Sequence, residues 1–208
     1  MTVRVKICGI TSLKDGIAAI DAGADALGFV FYKDSPRHVT CEIAQQITRA
    51  VPPFVARVGV FVNPSEDLVR RMIDACAIDV LQFHGEELPE FCEQFRMRTI
   101  KAFRMRDRGS IRQLDRYKTE AWLLDSYVPG KLGGTGARFN WDLAREAKEL
   151  GRPIILAGGL TPENVGKAIQ QARPFAVDVS SGVEIEPGRK DIKKMEEFVR
   201  AVRLGASS

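Results

Sequence analysis

The amino-acid sequence predicts an α/β chain closed into a single-domain (β/α)8 barrel. Three observations carry that expectation. Eight short apolar, β-branched or aromatic runs recur along the 208 residues. Helical patterns separate most of them. The G-x-G-x-x-G fingerprint of an open dinucleotide-binding sheet is absent after the first run. With eight strands and short connections, this favours closure over a doubly wound sheet.

The predicted strands are Val3–Cys8, Ala26–Phe31, Ala56–Val62, Val80–His84, Thr99–Arg104, Ala121–Ser126, Pro153–Gly158 and Ala176–Ser180. Each has the length of a buried strand and ends near Gly, Ser, Pro or Asn. Predicted helices cover Ser12–Ala22, Thr40–Ala50, Ser65–Ala75, Glu87–Phe95, Trp141–Leu150, Pro162–Ala172 and Asp191–Val202. Their ends carry the expected signals: Thr40 as a cap, Ser65-Glu66-Asp67 with acids in the first turn, Gly23 as a stop, Pro162 after Thr161. The fifth connection, Ser110–Tyr117, carries a weak helical pattern and reads as a short helix or a loop. No linker, low-complexity tract or composition shift marks a second domain.

Hydrophobic residues are 45% and charged residues 28%, ordinary for a folded globular chain. The net charge of +4 is spread among interspersed Lys, Arg, Asp and Glu. It fits a solvated surface and is compatible with an anionic substrate. No basic run with interleaved aromatics suggests nucleic acid. Cys8, Cys41, Cys76 and Cys92 form no C-x-x-C pair, and only two histidines accompany them, so neither a zinc site nor a disulfide framework is expected. No segment has the roughly 20 apolar residues that span a bilayer, and MTVRVKICGI shows no leader pattern. The expected compartment is the reducing cytoplasm. Neither metal nor cofactor is expected. The pattern leaves monomer and homodimer open.

In a (β/α)8 barrel the chemistry sits at the C-terminal ends of the strands. The seventh run ends Leu156-Ala157-Gly158-Gly159-Leu160 and the eighth ends Ser180-Ser181-Gly182-Val183. Gly158, Gly159 and Gly182 let backbone N–H groups approach an anion, while Ser180 and Ser181 add hydroxyl donors. A short helix from Ser181 would aim its positive end at the same place. Tight turns alone would also use glycines, but two adjacent loops carry the same signal, and these loops are the usual phosphate cradle.

Cys8 ends the first strand beside Gly9, which should leave its sulfur accessible. A thiolate there can take a proton if positive charge pulls its pKa below the ordinary value near 8.5. The alternative is a buried structural cysteine, the reading given to Cys41, Cys76 and Cys92. Asp125 closes the apolar run Trp122-Leu123-Leu124. Partial desolvation there raises a carboxyl pKa and suits a general acid; the alternative is an Asp capping the next turn. The glycine-rich stretch 130–136 that follows is a candidate substrate-covering loop or a plain connection. Arg37, after Pro36, has the planar fork that suits a carboxylate. His84 reads as a hydrogen-bonded barrel histidine and His38 as a loop residue. Alternation places Lys6 one layer below Cys8, and Asp178 shares parity with Ser180 on the neighbouring strand, so a buried Lys6–Asp178 ion pair is expected.

Taken together, Lys6-Ile7-Cys8-Gly9-Ile10-Thr11, Ser35-Pro36-Arg37, Val58-Gly59-Val60-Phe61, Gln82-Phe83-His84-Gly85, Asp125, Gly133-Gly134-Thr135-Gly136, Leu156-Ala157-Gly158-Gly159-Leu160 and Asp178-Val179-Ser180-Ser181-Gly182-Val183-Glu184 resemble phosphoribosylanthranilate isomerase, a TIM-barrel family. The motifs fall in family order along nearly the whole chain. The resemblance implies an Amadori rearrangement of N-(5-phosphoribosyl)anthranilate to 1-(2-carboxyphenylamino)-1-deoxyribulose 5-phosphate in tryptophan biosynthesis. It implies that Asp125 acts as general acid and Cys8 as general base. It further implies that Arg37 holds the anthranilate carboxylate, and that Gly158, Gly159, Ser180, Ser181 and Gly182 hold the phosphate. Two other phosphosugar barrels fit less well. A metal-bound ribulose-phosphate epimerase needs His and Asp ligands at several strand ends, where only His84 stands. A phosphoribosyl-formimino isomerase would place Asp where Cys8 lies. A regulatory barrel without turnover would not need both Cys8 and Asp125.

Overall fold

The computed structural model describes residues 2–126 and 141–207. Eight parallel strands close into a barrel in sequential order. They are β1 (Arg4–Cys8), β2 (Ala26–Val30), β3 (Ala56–Phe61), β4 (Val80–Phe83), β5 (Arg98–Met105), β6 (Ala121–Ser126), β7 (Ile154–Leu156) and β8 (Ala176–Val179). Closure is visible in β1, where Lys6 pairs with Ala26 of β2 on one side and with Asp178 of β8 on the other. The helices are α1 (Leu13–Asp21), α2 (Cys41–Thr48), α3 (Glu66–Cys76), α4 (Pro89–Glu93), α5 (Trp141–Lys148), α6 (Val165–Ala172) and α7 (Ile192–Ser207). A small hairpin of β9 (Glu184–Glu186) and β10 (Arg189–Lys190) precedes α7. Among the described residues, no helix is long and apolar enough to cross a membrane.

Three of the helices, α1, α2 and α3, begin where short polar side chains satisfy otherwise orphaned backbone donors. The side chains of Ser12, Thr40 and Ser65 accept from the backbone N–H of Asp15, Ile43 and Leu68, respectively. The fifth connection is a 3-10 helix over Arg108–Arg116, entered through an Asp107–Ser110 capping box. Leu114 is its one buried residue, with Ile111 packed partly buried against the core, so its short apolar face leaves little to stabilise a full α-helix.

Several strands stop short of their predicted ends. Phe31, Val62, His84 and Ser180 leave the ladder and become part of the loops at the mouth. Helix α4 is shorter than the predicted Glu87–Phe95. Its first turn starts at Pro89, which needs no N–H partner there. Glu87 instead turns inward: its carboxylate accepts from the backbone N–H of Asn63 and Gly85 and pairs with buried Lys101 at 3.1 Å. That cluster ties the ends of β3, β4 and β5 together below the mouth. The glycine-rich stretch 130–136 lies outside the described residues.

Side-chain alternation divides the apolar mass unequally. Phe29, Phe61, Phe83, Phe103, Trp122, Leu124 and Val177 belong to the large cluster that joins the sheet to the helices. The barrel interior holds smaller groups: Ala102, Ala121, Ala157 and Ala176 with Ile100, Leu123 and Ile155. Small interior side chains leave space, and on the β1–β8 seam charged groups fill it. Lys6 Nζ donates to Asp178 Oδ1 at 2.7 Å, with the two side chains 4% and 9% exposed. This is the pair that alternation predicted. Burial pulls the Lys6 ammonium down, but the facing Asp178 carboxylate, with Cys8, holds it above its ordinary value.

Lys6→Met is expected to leave Asp178 charged and unpaired in the interior, at a cost of about 3–5 kcal/mol in unfolding free energy. Urea denaturation measures it, and a loss below about 1 kcal/mol contradicts the role assigned to the pair. The sign with pH follows from a raised base. The stabilisation is complete below about pH 10, under the ordinary lysine pKa, and is lost as pH climbs through the raised value.

Candidate active site

A cavity of about 440 Å³ opens at the C-terminal ends of the strands, within the usual range for small-molecule sites. Cys8, Arg37, His84, Asp125, Gly158, Gly159, Ser180, Ser181 and Gly182 all line it. The structure thus brings every residue singled out for catalysis or anion binding into one mouth.

Cys8 ends β1 and is 8% exposed, so its sulfur is more enclosed than the neighbouring Gly9 led us to expect. Its thiol pKa does not move in the direction that a resting thiolate would require. Burial pushes it up, Lys6 and Lys190 pull it down, Asp178 pushes it up again, and the net direction is upward. Positive charge is present, but desolvation of the thiolate outweighs it. In the free protein Cys8 therefore rests as a thiol.

Lys190 is a residue that the sequence reading missed. It is 3% exposed and reaches beneath Cys8 from β10. Its Nζ donates to the Cys8 carbonyl at 2.6 Å and to Glu184 Oε1 at 2.8 Å. Burial lowers the Lys190 pKa, partly offset by Glu184. Glu184 also accepts from Arg37, at 2.9 Å from Nε and 2.6 Å from Nη2. Burial pushes the Glu184 carboxyl up, yet Arg37 and Lys190 hold it below the usual carboxylate range. The Arg37 fork is therefore already engaged on a protein carboxylate, with the Nη1 donors left for a ligand.

Asp125 stands near the end of β6, 5% exposed. One oxygen, Oδ2, lies 3.3 Å from His84 Nε2; the other, Oδ1, is buried and has no hydrogen-bond partner among the described residues. On the far side of the imidazole, Gln82 Nε2 lies 3.2 Å from His84 Nδ1. With the Gln82 NH2 turned to the ring, the matching tautomer accepts at Nδ1 and carries its proton on Nε2, facing Asp125. His84 is thus a hydrogen-bonded barrel histidine, as expected, but one joined to the candidate acid. Gln82 shares its inward parity, the signal by which alternation would have found it.

The β7 and β8 ends form a cradle of backbone. Gly158 and Gly159 adopt φ of 82° and 66°. A methyl group at Gly158 would land on the Ser126 backbone nitrogen, and one at Gly182 on the Leu160 carbonyl oxygen. Asn164 fixes the β7 loop by accepting from Thr161 N–H and donating to the Gly159 carbonyl. Ser181–Val183 forms the expected short helix, a 3-10 turn. Ser180 Oγ is buried and, among the described residues, has no hydrogen-bond partner. Gly182→Ala is expected to displace the Leu160 carbonyl and raise KM roughly tenfold or more, with a smaller change in kcat. Steady-state kinetics checks this, and an unchanged KM removes Gly182 from the cradle.

Among the described residues, no group of three or more His, Cys, Asp and Glu is arranged to hold a metal ion.

Barrels that gather an anion cradle on β7 and β8, with reactive side chains on other strand ends, are a recurrent class of enzyme. The fold and mouth place this chain in that class. Comparison with known proteins goes further. Residues 5–201 match the family described as N-(5'phosphoribosyl)anthranilate (PRA) isomerase. The chain belongs to this family of aldose–ketose isomerases of tryptophan biosynthesis. It is 55% identical to N-(5'-phosphoribosyl)anthranilate isomerase of Geobacter metallireducens, over 97% of this chain and 99% of that one. Among solved structures, it resembles phosphoribosyl anthranilate isomerase of Thermotoga maritima, with a TM-score of 0.91 and 42% identity over 96% of this chain and 98% of that one. A further phosphoribosyl anthranilate isomerase, solved in complex with reduced 1-(o-carboxyphenylamino)-1-deoxyribulose 5-phosphate, matches with a TM-score of 0.87 at 41% identity, over 96% and 98% of the chains.

Proposed function

We propose that this chain, acting as one barrel domain in the cytoplasm, rearranges N-(5-phosphoribosyl)anthranilate by general acid–base catalysis with Asp125 as acid and Cys8 as base. The observation that carries the reading is that these two side chains line one cavity from strands β1 and β6, with the glycine cradle of β7 and β8 on the arc between them.

The substrate phosphate docks on the N–H groups around Gly158, Gly159 and Gly182, with Ser180 and Ser181 adding hydroxyl donors. Asp125 gives a proton to the furanose ring oxygen. The C1–O bond breaks, and the anthranilate nitrogen takes up the positive charge as a protonated Schiff base. Cys8 removes the proton from sugar C2, and the C–H electrons form the C1–C2 double bond as the iminium is neutralised. The resulting enolamine tautomerises to the ketone. The iminium adds the positive charge that the buried thiol needs to ionise, beside Lys6 and Lys190. The chemistry makes its base when the base is required, and the free protein keeps an unreactive thiol.

Arg37 presents its remaining donors to the anthranilate carboxylate, its plane held by Glu184. The relative solved with the reduced product analogue supports a ligand of this size and charge in such a barrel. The test is turnover of freshly made phosphoribosylanthranilate, followed by loss of its fluorescence. Rapid conversion to the ketose supports the reading; no conversion under conditions where a known family member is active overturns it.

A further inference from the structure

We propose that Arg104 is a second guanidinium for the aryl carboxylate of the substrate, and so a determinant of specificity for a carboxylated ring. This rests on the isomerase reading above. Arg104 lies near the end of β5 in register with Asp125 of β6. It shares the parity of Ile100 and Ala102, which face the barrel interior. It lines the catalytic cavity and also the adjoining groove with Arg106, Arg112 and Arg116. Among the described residues, no carboxylate is paired with Arg104, whereas Arg37 already donates twice to Glu184.

The ligand's own shape directs it there. Its phosphate sits on β7 and β8 and its sugar between β1 and β6, so the aryl ring extends over the arc of β2 to β5. On that arc the cavity is lined by two arginines, Arg37 after β2 and Arg104 on β5. The first is partly neutralised by a protein carboxylate. The second is paired with no carboxylate among the described residues, and its planar fork has the geometry that matches one.

Two probes separate carboxylate recognition from general binding. One is the reduced product, reduced 1-(o-carboxyphenylamino)-1-deoxyribulose 5-phosphate. The other is the same compound made from aniline, without the carboxylate. Calorimetry gives Kd for both with wild type, Arg104→Gln and Arg104→Lys. Arg104→Gln is expected to weaken the carboxylated probe roughly tenfold or more. It should leave the carboxylate-free probe within about twofold, and Arg104→Lys should recover part of the loss. Equal weakening of both probes, or of neither, overturns the proposal while wild-type binding keeps the isomerase reading intact. A wild-type protein that binds neither probe and does not turn over the substrate refutes the isomerase reading, and the role of Arg104 with it.

Discussion

Cys8→Ala is expected to lower kcat by a factor of about 10² to 10⁴, the usual contribution of a positioned proton-transfer group, with KM changed less than threefold or so. The reason is geometric. The sulfur is small and enclosed at the end of β1, and the neighbouring cationic side chains Lys6 and Lys190 are engaged with Asp178 and Glu184. Removing the sulfur leaves the phosphate cradle and Asp125 untouched, so binding survives while the C2 proton has no acceptor. The thiol can be watched independently. Alkylation by iodoacetamide follows the thiolate, and burial raises the Cys8 pKa, so the rate in the free protein should keep climbing past pH ~8.5. Cys76 and Cys92 compete little, since burial pushes each up to about 12. A Cys8 that is fully reactive at pH 7 contradicts the enclosed, protonated resting state.

Asp125→Asn is expected to cost a similar factor in kcat, about 10² to 10⁴. The substitution keeps the shape of the side chain and an oxygen to accept from His84 Nε2–H, but it cannot donate a proton to the ring oxygen. Ring opening, the first step, then becomes rate-limiting. The double variant Cys8→Ala/Asp125→Asn should be little worse than the poorer single variant, because the two groups serve one sequence of steps and their effects do not add. Asp125→Asn with turnover within about threefold of wild type would remove the carboxyl as the acid.

Much of this architecture is legible in the chain because barrel physics is repetitive. Eight apolar runs with helical patterns between them specify the strands, and strand ends then give Cys8, Asp125 and the glycines. Alternation alone was enough to place Lys6 against Asp178, since β1 and β8 must meet when the sheet closes. What escaped reading depends on long-range approach. Nothing local marks Lys190, on a two-residue strand, as the cation beneath Cys8. The Arg37–Glu184 fork joins a loop after β2 to the hairpin after β8, and only the closed barrel brings them together. The boundary of α4 failed because Glu87 looks like a helix-starting acid, while in the fold it accepts from two loop N–H groups and Lys101. The Cys8 pKa was not legible either, because how much solvent the sulfur loses is set only by the closed fold.

The most direct measurement is the single-turnover rate with hydrogen or deuterium at sugar C2, in wild type and in Cys8→Ser. Proton removal by the thiol predicts a primary isotope effect in wild type and a collapse of the rate when oxygen replaces sulfur, since a serine hydroxyl ionises far less readily. A Cys8→Ser protein that turns over at the wild-type rate, with the same isotope effect, would show that another group takes the C2 proton.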